Sequence, residues 1–200
     1  MSFRMALLNF ITPISKWVAK MHAPFTHKKI DYSITISAGA NLKSGSVLLS
    51  KSFGELANII IPGDFSHAAI YDGEMIIEAK TKGVSRTSIY DFMMTKDDVI
   101  ILEPLFCDEI GMKKAALKCL HMVGLPYDYN FDPSTKAFYC SELVSYGYSE
   151  FGNWNKRNTF GVETVVPDDF YKSAKSKTPK WRIVWDSMAC KAAIDSAVKI

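Results

Sequence analysis

Apolar and polar positions divide this chain into three zones. Residues 2–21 place Phe3, Leu7, Phe10, Ile11, Ile14, Val18 and Met21 near helical spacing, with Pro13 kinking the segment or opening a second helix after Thr12. From Leu42 onward the apolar residues come in short blocks cut by turns, the mark of strands. These blocks are Ser46–Ser50 behind Gly45, Ile59–Ile61 before Pro62-Gly63, and Asp98–Glu103. Ser66–Tyr71 and Glu74–Ala79 read as a hairpin across Asp72-Gly73.

Helical spacing returns at Ile110–Val123, stopped by Gly124, and at Cys140–Phe151, stopped by Gly152. Ser88–Met94 reads as a helical turn capped by Thr87 or Ser88. A strand at Trp181–Trp185 and an amphipathic helix at Asp186–Lys199 close the chain, after a polar linker at Lys172–Lys180. Helices and a mostly antiparallel sheet in separate blocks define an α+β fold. The expected division is a helical extension with linker over residues 1–30 and one domain over residues 31–200, with no internal repeat.

Composition changes this picture little. At 200 residues, with 48% hydrophobic and 22% charged residues, the chain suffices for one well-cored soluble domain. A net charge of +3 gives no reason to expect a nucleic-acid partner. The basic stretch Lys172, Lys175, Lys177, Lys180 and Arg182 reads first as a solvated loop. Four cysteines without a CxxC pair fit a reducing compartment, although an even count also permits disulfides. Neither a secretory signal nor a membrane span is legible, so the expected location is cytoplasmic or otherwise intracellular. For residues 2–21, packing on the domain or a partner is preferred over lying on a membrane surface.

Three residues stand out chemically. Cys140 falls where an irregular stretch meets a helix, so its sulfur would lie at a helix N-terminus, which favours the thiolate; its backbone N–H there could stabilise an oxyanion. The bland alternative is a small buried thiol. His67 lies in a strand whose neighbours Ala68 and Ala69 leave room for an imidazole to reach a sulfur, although a histidine in a strand is commonly structural. A two-residue turn at Asp72-Gly73 sets Glu78 directly opposite His67, where a carboxylate would orient the ring and support its cation; the alternative is a surface glutamate. His22, His27 and His121 have no partners at metal-ligand spacing, and no zinc signature, GxSxG elbow or phosphate-binding glycine loop exists. No cofactor is called for.

With these residues in place the chain resembles the NlpC-like papain-fold cysteine hydrolases, in their circularly permuted YiiX/YebB-like branch. The likeness rests on Ser66-His67-Ala68-Ala69-Ile70-Tyr71-Asp72-Gly73, Ile77-Glu78-Ala79, Gly83-Val84, Gly124-Leu125-Pro126-Tyr127 and Tyr139-Cys140-Ser141-Glu142-Leu143, within Leu42–Phe151. It implies a small antiparallel sheet on a cysteine-bearing helix, with Cys140 as nucleophile, His67 as base, Glu78 as orienter and Tyr127 lining the site. Gly45-Ser46-Val47 departs from the Gly-Asp usual in that branch, and the segments before Ile30 and after Phe170 have no assigned counterpart. The implied reaction is hydrolysis of a peptide or small amide through an acyl-enzyme. The competing readings are acyl transfer or thioester cleavage on lipids, and a non-catalytic binding module.

Overall fold

The computed structural model describes residues 30–52, 63–131, 135–152, 157–159 and 162–197. Its centre is a six-stranded antiparallel sheet made of β1 (Val47–Lys51), β2 (His67–Tyr71), β3 (Ile76–Lys80), β4 (Gly83–Thr87), β5 (Asp98–Pro104) and β8 (Trp181–Asp186). The order across it is β4-β3-β2-β1-β5-β8. A separate ribbon pairs β6 (Arg157–Thr159) with β7 (Val162–Thr164). The expected α+β architecture is present. The expected strand at Ile59–Ile61 and the helix over residues 2–21 lie outside the described residues.

Alternation along the strands gives the sheet two apolar faces. Val47, Leu49, Ala68, Ile70, Ile77 and Ala79 pack beneath α3 (Glu109–Leu120), α4 (Cys140–Gly147) and α5 (Pro167–Ala174). Leu48, Ala69, Ile76, Val99 and Ile101 face the other way, against α1 (Tyr32–Ala40), α2 (Ile89–Met93) and α6 (Ser187–Ala197). Each fully buried aliphatic side chain contributes about 1.5–3 kcal/mol. On the first face Gly147 lets α4 approach α3 closely, because a Cβ there would fall 2.5 Å from the Cys119 sulfur. That packing fixes the height of Cys140 above the sheet.

The hairpin register differs from the expectation. Ala69, not His67, stands opposite Glu78, and the closing pair is Tyr71 with Ile76. The turn is longer than Asp72-Gly73 because Asp72 Oδ1 accepts from the Glu74 and Met75 N–H groups, each at 2.8 Å. A displacement of two residues keeps Glu78 on the same face as His67, whereas one residue would have reversed it.

Other boundaries move for local reasons. Ser88 caps α2, accepting from Asp91 N–H. The Cys140 helix ends at Gly147 and continues as a 3-10 turn at Ser149–Phe151. Part of the expected linker at Lys172–Lys180 is the end of α5, which opens on Pro167. Neither α1, β4, β6, β7 nor α5 was expected as an element.

Gly83 ties the sheet edge to the site. Its φ is +105°, and a Cβ there would lie 2.4 Å from the Leu125 carbonyl oxygen. Beside it Val84 N–H donates to Leu125 O at 2.8 Å and Gly124 N–H donates to Val84 O at 2.9 Å. Gly83→Ala is therefore expected to destabilise the protein by about 2 kcal/mol and to push the 124–127 segment off β4. Thermal unfolding and the protection of the Val84 and Gly124 amides from hydrogen exchange measure the two effects.

Candidate active site

Cys140 is the first residue of α4, following Tyr139 in extended conformation at φ −91° and ψ 169°. The entry is clamped from both sides. Ser141 Oγ donates to Val165 O at 2.7 Å, and Val165 N–H donates to the Tyr139 hydroxyl at 3.2 Å. Glu142 Oε2 accepts from Tyr139 N–H at 3.3 Å. The thiol is thus held at a helix start, and only 4% of the residue is exposed.

His67 begins β2, directly across from Ser50 of β1, with 14% of its side chain exposed. Its Nε2 lies 2.9 Å from Glu78 Oε2, and Glu78 is wholly buried. The Phe92 ring covers the imidazole at 6.2 Å between centroids, inclined by 33°. With Nε2 committed to the carboxylate, Nδ1 is the ring nitrogen left for the Cys140 sulfur, whose ionisation is linked to that of the ring. Glu78, displaced from the direct cross-strand position, reaches His67 diagonally.

The ionisation of these groups is mutually dependent. Burial alone would push the Cys140 thiol up, but the hydrogen bond and charge of His67, with backbone hydrogen bonds from Ala68 and Ser141, hold it below the ordinary thiol range. Burial would likewise lower His67; its bonds to Cys140 and Glu78 outweigh that and the opposing charge of Lys96, and raise it. Glu78 is buried, which favours the neutral acid, yet His67 and Lys80 drive it well below the carboxylate range. A thiol moved down beside an imidazole moved up is an ion pair in waiting. Cys119 provides the contrast: a wholly buried thiol whose desolvation pushes it up to about 12.

Tyr127 is brought to the same place. It bridges to Phe138, and Asp128 N–H and Phe138 N–H exchange bonds with Phe138 O and Pro126 O at 3.2 and 3.1 Å. Burial, then the charge of Cys140, raises its phenol well above the ordinary range, so it remains a proton donor. All four expected site residues therefore converge. Three contributors went unrecognised: Lys80 and Thr87 on Glu78, and Phe92 against His67. Lys80 was detectable in principle, standing two residues after Glu78 on one strand face. Among the described residues no group of three or more His, Cys, Asp or Glu side chains is arranged to hold a metal ion, and no helix is long and apolar enough to cross a membrane.

An antiparallel sheet whose histidine strand precedes, in chain order, the helix that opens on the cysteine defines a permuted papain-like cysteine hydrolase. The chain belongs to the family described as permuted papain-like amidase enzymes, YaeF/YiiX, the C92 family, whose model matches residues 41–192. The match bears out the resemblance read from the motifs and carries it past Phe170, where no counterpart had been assigned. Among solved structures, the crystal structure of metalloprotein yiiX from Escherichia coli O157:H7, DUF1105, shares the fold. It is 19% identical with a TM-score of 0.50, covering 72% of this chain and 88% of that one. No curated protein sequence matches. The chain is thus an enzyme of the cysteine peptidase or amidase class.

Proposed function

We infer that this enzyme hydrolyses a peptide or small amide through Cys140, His67 and Glu78, with a covalent acyl-enzyme between two half-reactions. The observation that carries the reading is the 2.9 Å contact from Glu78 to the ring whose other nitrogen is left for Cys140. The Cys140 thiolate attacks the carbonyl carbon, and the C=O π pair moves to oxygen. The oxyanion is received by the Cys140 backbone N–H, unpaired within the first helical turn, and by the protonated Tyr127 hydroxyl. On collapse the C–N bond breaks, and His67 hands its proton to the departing amine. His67 then takes a proton from water, which attacks the thioester and releases the acid. Glu78 keeps the imidazole in one tautomer and supports its cation throughout, without accepting the proton.

The test is acylation followed by intact-protein mass spectrometry. Small activated amides and esters are expected to leave an acyl mass on Cys140 that decays as product acid accumulates. Cys140→Ala is expected to show neither, with turnover reduced by about 10⁴-fold or more at an unchanged melting temperature. Acylation on another residue, or hydrolysis that survives in Cys140→Ala, contradicts the reading. An acyl mass that passes to an added amine or alcohol in preference to water would make the enzyme a transferase.

A further inference from the structure

The buried Glu78 carboxylate has a divided set of partners. Oε2 serves His67 at 2.9 Å. Oε1 accepts from Thr87 of β4 at 2.8 Å and faces the Lys80 ammonium at 2.5 Å. Lys80 stands two residues beyond Glu78 on β3, so both side chains leave the same face of the sheet, and Lys80 folds back over the carboxylate. It does so from a half-exposed position, with 48% of its side chain in solvent. At that exposure the ammonium keeps part of its hydration.

We propose that Lys80 is a positioning residue that tunes the catalytic base: by binding Oε1 of Glu78 it draws off part of the carboxylate's hold on His67. This rests on the reading of His67 as the base and specifies what sets its proton affinity. A general acid must surrender its proton near the working pH. A desolvated carboxylate devoted wholly to the imidazolium would hold that proton too tightly. Sharing the carboxylate with an ammonium weakens the hold, while Thr87 keeps Oε1 in place.

The other charged or titratable groups facing the pair come from separate elements. Cys140 faces His67 from α4, and Lys96, in the segment after α2, opposes the imidazolium charge. Tyr127 faces Cys140 and stays protonated. Among the described contacts of Glu78 Oε1, the charged partner is Lys80.

The experiment is an NMR titration of the His67 imidazole in Cys140→Ala protein, which removes the titration of the sulfur. Lys80, Lys80→Met, Lys80→Arg and Glu78→Gln are compared in that background. Lys80→Met is expected to move the His67 midpoint upward by about half a pH unit, roughly a threefold gain in proton affinity. Lys80→Arg is expected to restore the parent midpoint, and Glu78→Gln to lower it. In protein that retains Cys140, the alkaline limb of the pH–activity profile should move up in Lys80→Met as well.

A His67 midpoint that is unchanged or lowered in a folded Lys80→Met variant overturns the proposal. So does a Lys80→Arg variant that behaves like Lys80→Met. A midpoint indifferent to Glu78→Gln removes the Glu78–His67 coupling itself, which is the failure of the triad rather than of Lys80 alone.

Discussion

Glu78→Gln is expected to reduce turnover by about a thousandfold while the sheet stays folded. The substitution is nearly isosteric, so the effect is one of charge and proton direction. Lys80 is purely a donor, and it sits on the Oε1 side of residue 78. A glutamine there turns its carbonyl oxygen toward Lys80 and presents its NH₂ to His67 Nε2. The imidazole must then accept at Nε2 and carry its proton on Nδ1, the nitrogen left for the sulfur. That is the wrong tautomer for a base that takes a proton from Cys140 or from water.

Stability responds to the same substitution with a defined pH dependence. Glu78 is depressed on folding, so its stabilisation is complete above the unfolded value of about 4.3 and fades as pH falls toward the folded one. His67 is raised on folding, so its share is complete below about 6.5 and is lost as pH rises through the folded value. The gap in unfolding free energy between wild type and Glu78→Gln should therefore be widest, at about 2 kcal/mol, between those limits, and shrink on either side. Denaturant titrations across pH measure it.

His67→Ala carries the other large effect, and it is legible without a substrate. Stripped of the imidazole, Cys140 keeps its burial and its backbone hydrogen bonds from Ala68 and Ser141 but loses the hydrogen bond and charge that do most to oppose that burial, so its thiol moves up. Alkylation of Cys140 at neutral pH is expected to slow by at least about a hundredfold, because the thiolate is the reacting species. Restoring the fold's apolar packing does not rescue it, since the lost term is a charge and a hydrogen bond. Adding free imidazole should recover part of the rate. Peptide mass spectrometry of the alkylated protein resolves Cys140 from Cys107, Cys119 and Cys190.

What the sequence made legible follows from which features are local. Cys140 at a helix start and His67 in an alternating strand are patterns of a few residues, and both hold in the structure. Glu78 was found on the correct face through a register two residues off, because strand alternation tolerates an even displacement. Thr87 could not be linked to it, since that link needs β4 as a strand, whereas Lys80 was within reach of the same alternation, two residues on along β3. Gly83–Thr87 is a sheet-edge strand with only Gly83 and Val84 buried, which leaves no alternation to read. The helix α1 hides for a related reason: Ile34, Thr35 and Ala38 face inward while Ile36 faces solvent, in a run of β-branched and small residues that favours helix weakly. In α5 the two acidic residues and Lys172 outweigh Phe170, so a half-buried helix goes unread and its last residues, from Lys172, read as linker.

The proposed mechanism needs Cys140 to be a thiolate paired with an imidazolium. The most direct test is the rate of iodoacetamide alkylation at each of the four cysteines of the folded wild-type protein as a function of pH. Cys140 is expected to react well below pH 8, the range where an ordinary thiol begins to ionise, ahead of the more exposed Cys107 and Cys190, while Cys119 stays inert. If Cys140 reacts no earlier than Cys107 and Cys190, the thiolate–imidazolium pair is absent, and the mechanism built on it fails.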